Sequence, residues 1–179
     1  MRLHRRALLG AGAAFAALAA SRQWTGAREM TTTAAGTTAP TTTSGVDFKA
    51  LTDAEWRKRL TPAQYDILRG HGTERAGSSP LDHEKRKGTF ACAGCDLPLF
   101  SSDTKFDSGT GWPSFYAPLP QAVGTKTDRT FFMKRTEVHC ARCLGHLGHV
   151  FNDGPRPTGL RYCMNGLALT FHPTPAAAS

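Results

Sequence analysis

Five cysteines hold most of the reactive chemistry in this chain: Cys92, Cys95, Cys140, Cys143 and Cys163. Four of them form two tight pairs, Cys92-Ala93-Gly94-Cys95 and Cys140-Ala141-Arg142-Cys143, separated by residues 96 to 139. A Cys-x-x-Cys turn can place two sulfurs on adjacent corners of a tetrahedron. Two such turns close a four-thiolate site with no open position, which is the pattern of structural zinc. A metal there contributes folding free energy by tying together loops far apart in the sequence. The competing use of the same residues is disulfide chemistry, because the N-terminus points to export into an oxidising compartment.

Cys163 is left over once four thiols are assigned to a metal. In Arg161-Tyr162-Cys163-Met164-Asn165, an unpaired Cys is either a small buried hydrophobe or a nucleophile. On a strand, Arg161 and Asn165 share its face at i−2 and i+2. A cation at that place is expected to lower the thiol pKa. A second polar cluster, His146-Leu147-Gly148-His149, offers acid-base or hydrogen-bonding work, or two satisfied histidines with no chemical role.

These residues need a scaffold. Thr52 with Glu55, and Thr61-Pro62 with Gln64, are capping boxes opening two short helices, the second ended by Gly70. Each helix offers one or two apolar residues per turn, which suits covering a sheet. After Gly88 come short apolar runs broken by Gly, Pro, Asn and Asp: 89–91, 97–100, 130–133, 149–151, 160–164 and 167–171. Such runs indicate antiparallel strands. The expected fold is mainly β, with small N-terminal helices, in one domain over residues 46–174.

Residues 1–20 have a basic start, an uncharged stretch from Ala7 to Ala20 and small residues suited to cleavage. Arg5-Arg6 followed by Ala7-Leu8-Leu9 is similar to a twin-arginine signal, an ordinary secretory signal being the alternative. Residues 21–45 form an expected flexible linker, since a Thr-, Ala- and Gly-rich tract cannot offset its ordering entropy. The expected location is the periplasm, or outside the cell if there is one membrane. No apolar run is long enough for a permanent membrane helix.

The formal charge of +8 does not favour nucleic acid as a partner. Five Arg against one Glu in residues 1–45 supply half of it. Glu84-Lys85-Arg86-Lys87 reads as a solvated turn.

The runs His83-Glu84-Lys85-Arg86, Cys92-Ala93-Gly94-Cys95, Gly111-Trp112-Pro113-Ser114-Phe115, Cys140-Ala141-Arg142-Cys143, Gly145 to Phe151 and Arg161 to Asn165, in this order, resemble the methionine sulfoxide reductase B family over about residues 48–171. The resemblance implies two antiparallel sheets, a structural zinc on Cys92, Cys95, Cys140 and Cys143 that staples the domain, and Cys163 as the catalytic thiol. It implies that Trp112, with Phe151 nearby, holds the substrate methyl group, and that the R epimer of methionine sulfoxide in oxidised proteins is reduced through a sulfenic acid. His149 is the expected proton donor, with His146, Asn165 and Arg161 positioning the oxygen and stabilising the thiolate.

Many members of that family carry a resolving Cys in the loop before Gly-Trp-Pro-Ser-Phe, where this chain has Thr110. A hydroxyl forms no disulfide. The sulfenic acid then needs an external reductant: a thioredoxin-like or glutaredoxin-like protein, or a small thiol. The expected working unit is a monomer. Two other classes account for part of the sequence: a non-enzymatic zinc module, which leaves Cys163 unexplained, and a thiol oxidoreductase whose centre is one Cys-x-x-Cys pair, which would not hold stoichiometric metal.

Overall fold

The computed structural model describes residues 45–129 and 134–175. The leader, almost all of the linker and the strand expected at 130–133 lie outside the described residues. Helix α1 (Asp53–Arg59) and helix α2 (Pro62–Leu68) both open with complete capping boxes, Thr52 with Glu55 and Thr61 with Gln64. Each cap contributes about 1 kcal/mol, which matters for helices too short to persist alone.

Nine strands follow among the described residues: β1 (Gly88–Cys92), β2 (Pro98–Ser101), β3 (Lys105–Phe106), β4 (Ser114–Phe115), β5 (Val123–Asp128), β6 (Arg135–Cys140), β7 (His146–Phe151), β8 (Arg161–Met164) and β9 (Leu169–Pro173). They make a three-stranded sheet in the order β2-β1-β9 and a six-stranded sheet in the order β3-β4-β8-β7-β6-β5. Every pairing is antiparallel. The expected architecture of two antiparallel sheets with small N-terminal helices is therefore present. No described helix is long and apolar enough to cross a membrane.

Several bounds differ from those read in the sequence. The run at 167–171 becomes a strand only from Leu169, because Gly166–Ala168 form a 3-10 turn. Strands β5 and β6 have no apolar run at all; β5 is Val-Gly-Thr-Lys-Thr-Asp. The Glu84–Lys87 run is a surface feature, with the Arg86 and Lys87 side chains 69% and 77% exposed.

The core is aromatic at its centre. Phe115 stacks on Phe100 at 4.4 Å between ring centroids and meets Phe90 edge-on at 4.9 Å. Phe90 and Phe100 lie on the smaller sheet and Phe115 on the larger, so these contacts join the two, and each is worth about 1 kcal/mol beyond area burial. The helices do more than cover a sheet. Trp56 of α1 and Leu68 of α2 are buried, and a Cβ on Gly94 would stand 3.3 Å from the Trp56 ring and 3.6 Å from Leu68. They press on the Cys92–Cys95 turn, and α2 packs against β7.

Glu74 fixes the segment after β8. Its buried carboxylate accepts the backbone N–H groups of Gly166 (2.6 Å) and Leu167 (2.9 Å). Its own N–H donates to Asn165 Oδ1 at 3.0 Å, and its carbonyl accepts from Trp112 Nε1 at 3.2 Å. Hydrogen bonds to a charged group are worth about 1.5–3 kcal/mol each, and removing this acceptor strands one buried and one part-buried donor. Glu74→Ala is expected to destabilise the domain by about 3 kcal/mol, read as a lower urea midpoint at unchanged slope. A loss below about 1 kcal/mol would contradict this anchoring role.

Candidate active site and four-cysteine cluster

The first Cys-x-x-Cys turn joins β1 to β2 and the second joins β6 to β7, so each is the tip of a hairpin from a different sheet. The turns share one geometry. Asp96 N–H reaches Cys92 O at 2.8 Å and Leu144 N–H reaches Cys140 O at 2.9 Å. The same two residues take left-handed backbones, φ 57° and 60°. The turns are also bonded to each other, since the Arg142 guanidinium donates to Cys95 O at 2.9 Å.

Cys92, Cys95, Cys140 and Cys143 converge there, all buried and all unbridged. Their sulfurs approach to 3.6 Å (Cys92 to Cys143) and 3.5 Å (Cys95 to Cys140). Four sulfurs at about 2.3 Å from one ion stand about 3.8 Å apart along the edges of a tetrahedron. The cluster is therefore close to the size a tetrahedral metal requires. The thiols are ill-matched without a cation: hydrogen bonding to Cys140 pushes Cys92 and Cys95 up, while hydrogen bonding to Cys143 holds Cys140 down. These four residues could hold a metal ion.

Cys163 lies elsewhere, on β8, paired across the strands with His149 of β7 and Ser114 of β4. A cavity of about 130 Å³ opens over it, lined by Thr73, Trp112, Arg135, Gly148, His149, Phe151, Cys163 and Asn165. Five expected site residues thus meet on one cavity: Cys163, His149, Asn165, Trp112 and Phe151. Gly148 makes the approach of β7 to β8 possible, because a Cβ there would stand 2.1 Å from Cys163 O.

The other two lie just outside. Arg161 forms a two-pronged pair with Asp153 at 2.9 and 2.8 Å and covers the Phe151 ring at 4.4 Å. His146 is buried, its Nδ1 3.0 Å from Glu137 Oε1, and its ring meets that of His149 edge-on at 5.4 Å. Asn165 lines the cavity but sits past the end of β8, not on the strand face with Cys163. Backbone groups take both ends of its amide, Glu74 N–H at 3.0 Å and Leu147 O at 3.0 Å.

The Cys163 thiol does not titrate as the neighbouring cation led us to expect. Burial pushes it up, and this outweighs the opposing pull of the Thr110 hydroxyl, Arg161 and Ser114. Arg161, itself paired with Asp153, still pulls the thiol down, but the desolvation of a buried thiolate outweighs that pull. Thr110 Oγ1 is 3.8 Å from Cys163 Sγ, and Ser108 bonds both Thr110 (2.8 Å) and Ser114 (2.7 Å). The resting group is a thiol within a run of hydroxyls.

Two acids at the site carried no signal in the sequence. Asp128, at the end of β5, holds His149 Nε2 at 2.8 Å and Arg135 at 2.9 Å. Glu137, on β6, supports His146. Both lie on polar strands, and only the register of β5, β6 and β7 brings them beside the histidines.

Comparison with known proteins identifies the family. The SelR domain family model matches residues 60–173. A protein of Agrobacterium fabrum (strain C58 / ATCC 33970) named peptide methionine sulfoxide reductase MsrB is 59% identical over 122 residues, covering 68% of this chain and 90% of the relative. One of the same name from Thiobacillus denitrificans (strain ATCC 25259 / T1) is 59% identical over 123 residues, 68% of this chain and 93% of the relative. The chloroplastic peptide methionine sulfoxide reductase B1 of Arabidopsis thaliana is 57% identical over 124 residues, 69% of this chain and 61% of the relative. The matched stretch carries both Cys-x-x-Cys hairpins and the cavity over Cys163, and the chain belongs to the methionine sulfoxide reductase B family.

Proposed function

We propose that this protein reduces methionine-R-sulfoxide in oxidised proteins to methionine, with Cys163 as the attacking thiol. The observation that carries the reading is the meeting of Cys163, Trp112, Phe151 and His149 on one small cavity in a chain of this family. An aromatic wall suits a sulfur-bearing methyl group, since sulfur and aromatic rings attract each other.

The reaction balances with these groups alone. Cys163 Sγ attacks the sulfoxide sulfur while a proton reaches the oxygen; the oxygen passes to Cys163 and methionine leaves. Cys163 loses two electrons and becomes a sulfenic acid, and the sulfoxide sulfur gains them. His149 supplies the proton. With Nε2 held by Asp128, its Nδ1 is the free position, a carboxylate-oriented imidazole of the kind used in acid-base catalysis. Because burial favours the Cys163 thiol, its proton leaves as the substrate oxygen becomes basic, not beforehand. Arg161 steadies the sulfur, while His146 and Asn165 act one step removed, through the His149 ring and the backbone.

Recycling is external. Thr110 stands where a resolving thiol would have to be, and the other four cysteines are committed to a buried cluster. Two thiol groups from a thioredoxin-like or glutaredoxin-like protein, or from a small thiol, reduce the sulfenic acid to Cys163 and release water and a disulfide. The four-cysteine cluster holds structural zinc, one per chain: four thiolates leave no open position, and the ion contributes only folding free energy. The working unit is a monomer.

The chain is also proposed to be exported, through a twin-arginine signal at residues 1–20, to the periplasm or beyond a single membrane. N-terminal sequencing of protein from that compartment is expected to begin just after the Ala17–Ala20 region; protein retaining Met1 to Ala20 would contradict it.

The activity is tested with the separated epimers of a methionine-sulfoxide peptide and dithiothreitol. Protein carrying one zinc per chain is expected to reduce the R epimer alone, and Cys163→Ser to lose this by more than 10³-fold, since a hydroxyl is a far weaker nucleophile than a thiolate. Reduction of neither epimer by the zinc-loaded parent, or equal reduction by Cys163→Ser, would overturn the reading.

A further inference from the structure

We propose that His71, Glu137 and His146 form a second metal site, separate from the four cysteines, that takes a divalent transition ion such as Zn²⁺ or Co²⁺ through two imidazoles and one carboxylate. The three residues come from the loop after α2, from β6 and from β7, and offer donor atoms within 4.8 Å of one another. Two imidazole nitrogens face one oxygen: Glu137 Oε1 is 3.0 Å from His146 Nδ1 and 3.3 Å from His71 Nδ1.

That spacing is informative. Nitrogen and oxygen ligands at about 2.0–2.1 Å from zinc stand about 3.3 Å apart along a tetrahedral edge. The two separations from Glu137 Oε1 need no more than a few tenths of an ångström of adjustment, and the two imidazoles need only close on each other from within 4.8 Å. A proton on each Nδ1 satisfies the same geometry without metal, and an ion would replace both protons at once. Two histidines and one glutamate are a borderline-soft donor set suited to zinc and its neighbours, and they leave the fourth position to water.

The protonation states also suit an ion. Burial pushes His146 down toward the neutral imidazole that can ligate, against the pull of Glu137. Burial pushes Glu137 up, but His146 and Lys126 outweigh it and hold the carboxyl ionised. Lys126 bonds the other oxygen, Oε2, at 3.1 Å, and its half-exposed side chain can swing away from an incoming cation. Entry is open. The His71 side chain is 52% exposed, and the three residues line a cleft of about 580 Å³ that shares Thr73, Arg135 and His149 with the cavity over Cys163.

Cobalt tests this directly, because its visible spectrum separates nitrogen and oxygen ligands from thiolate. Zinc-loaded full-length protein is titrated with Co²⁺ at neutral pH. One additional ion per chain should bind, with weak visible bands and without the intense thiolate-to-cobalt band in the near ultraviolet. His71→Asn, which tolerates the left-handed backbone at this position (φ 56°), should bind at least tenfold more weakly while reducing methionine sulfoxide at the parent rate in metal-free buffer. Absence of the extra ion, a thiolate band, or undiminished binding by His71→Asn would overturn the proposal.

Discussion

The structure depends on the joint between two hairpin tips, one from each sheet, where Cys92 and Cys95 meet Cys140 and Cys143. Four buried thiols at 3.5–3.6 Å form a poor joint by themselves, since neighbouring sulfurs in a dry site cannot all ionise and gain little from weak S–H bonds. A tetrahedral cation held there would turn the same atoms into a strong contact between the sheets. Trp56 and Leu68 seal it from outside, which explains why two short helices precede a β domain.

His149, Phe151 and Cys163 stand on β7, which starts at that joint, and on its neighbour β8. Strand β7 leaves the Cys140–Cys143 turn and presents His146, Gly148, His149 and Phe151 in succession. Gly148 lets it close on β8, so His149 stands opposite Cys163. The site therefore inherits its precision from strand register and not from a loop. Trp112 and Asn165, which stand outside the strands, are held by the Glu74 backbone instead.

Much of this was legible in the sequence where chemistry is local. Two Cys-x-x-Cys turns, two capping boxes and a leftover Cys beside Arg161 announce themselves within five residues. What stayed hidden depends on partners far away along the chain. Asp128 and Glu137 sit on strands with no apolar alternation, and nothing near Glu74 points to Gly166, 92 residues on. The same limit explains Cys163. Arg161 at i−2 argued for a lowered thiol pKa and does pull it down, but burial by distant elements outweighs that pull. Asn165 was placed on the strand face by the same i+2 logic, and the strand ends one residue earlier.

In the proposed cycle Cys163 alone undergoes the redox step and is returned to the thiol from outside. The most direct measurement is mass spectrometry of zinc-loaded protein after one equivalent of a methionine-R-sulfoxide peptide, with no reductant and with a dione that traps sulfenic acids. The account predicts one adduct per chain, on Cys163, with the other four cysteines unmodified. A disulfide between Cys163 and another cysteine of the chain, or methionine formed while Cys163 remains a thiol, would contradict it.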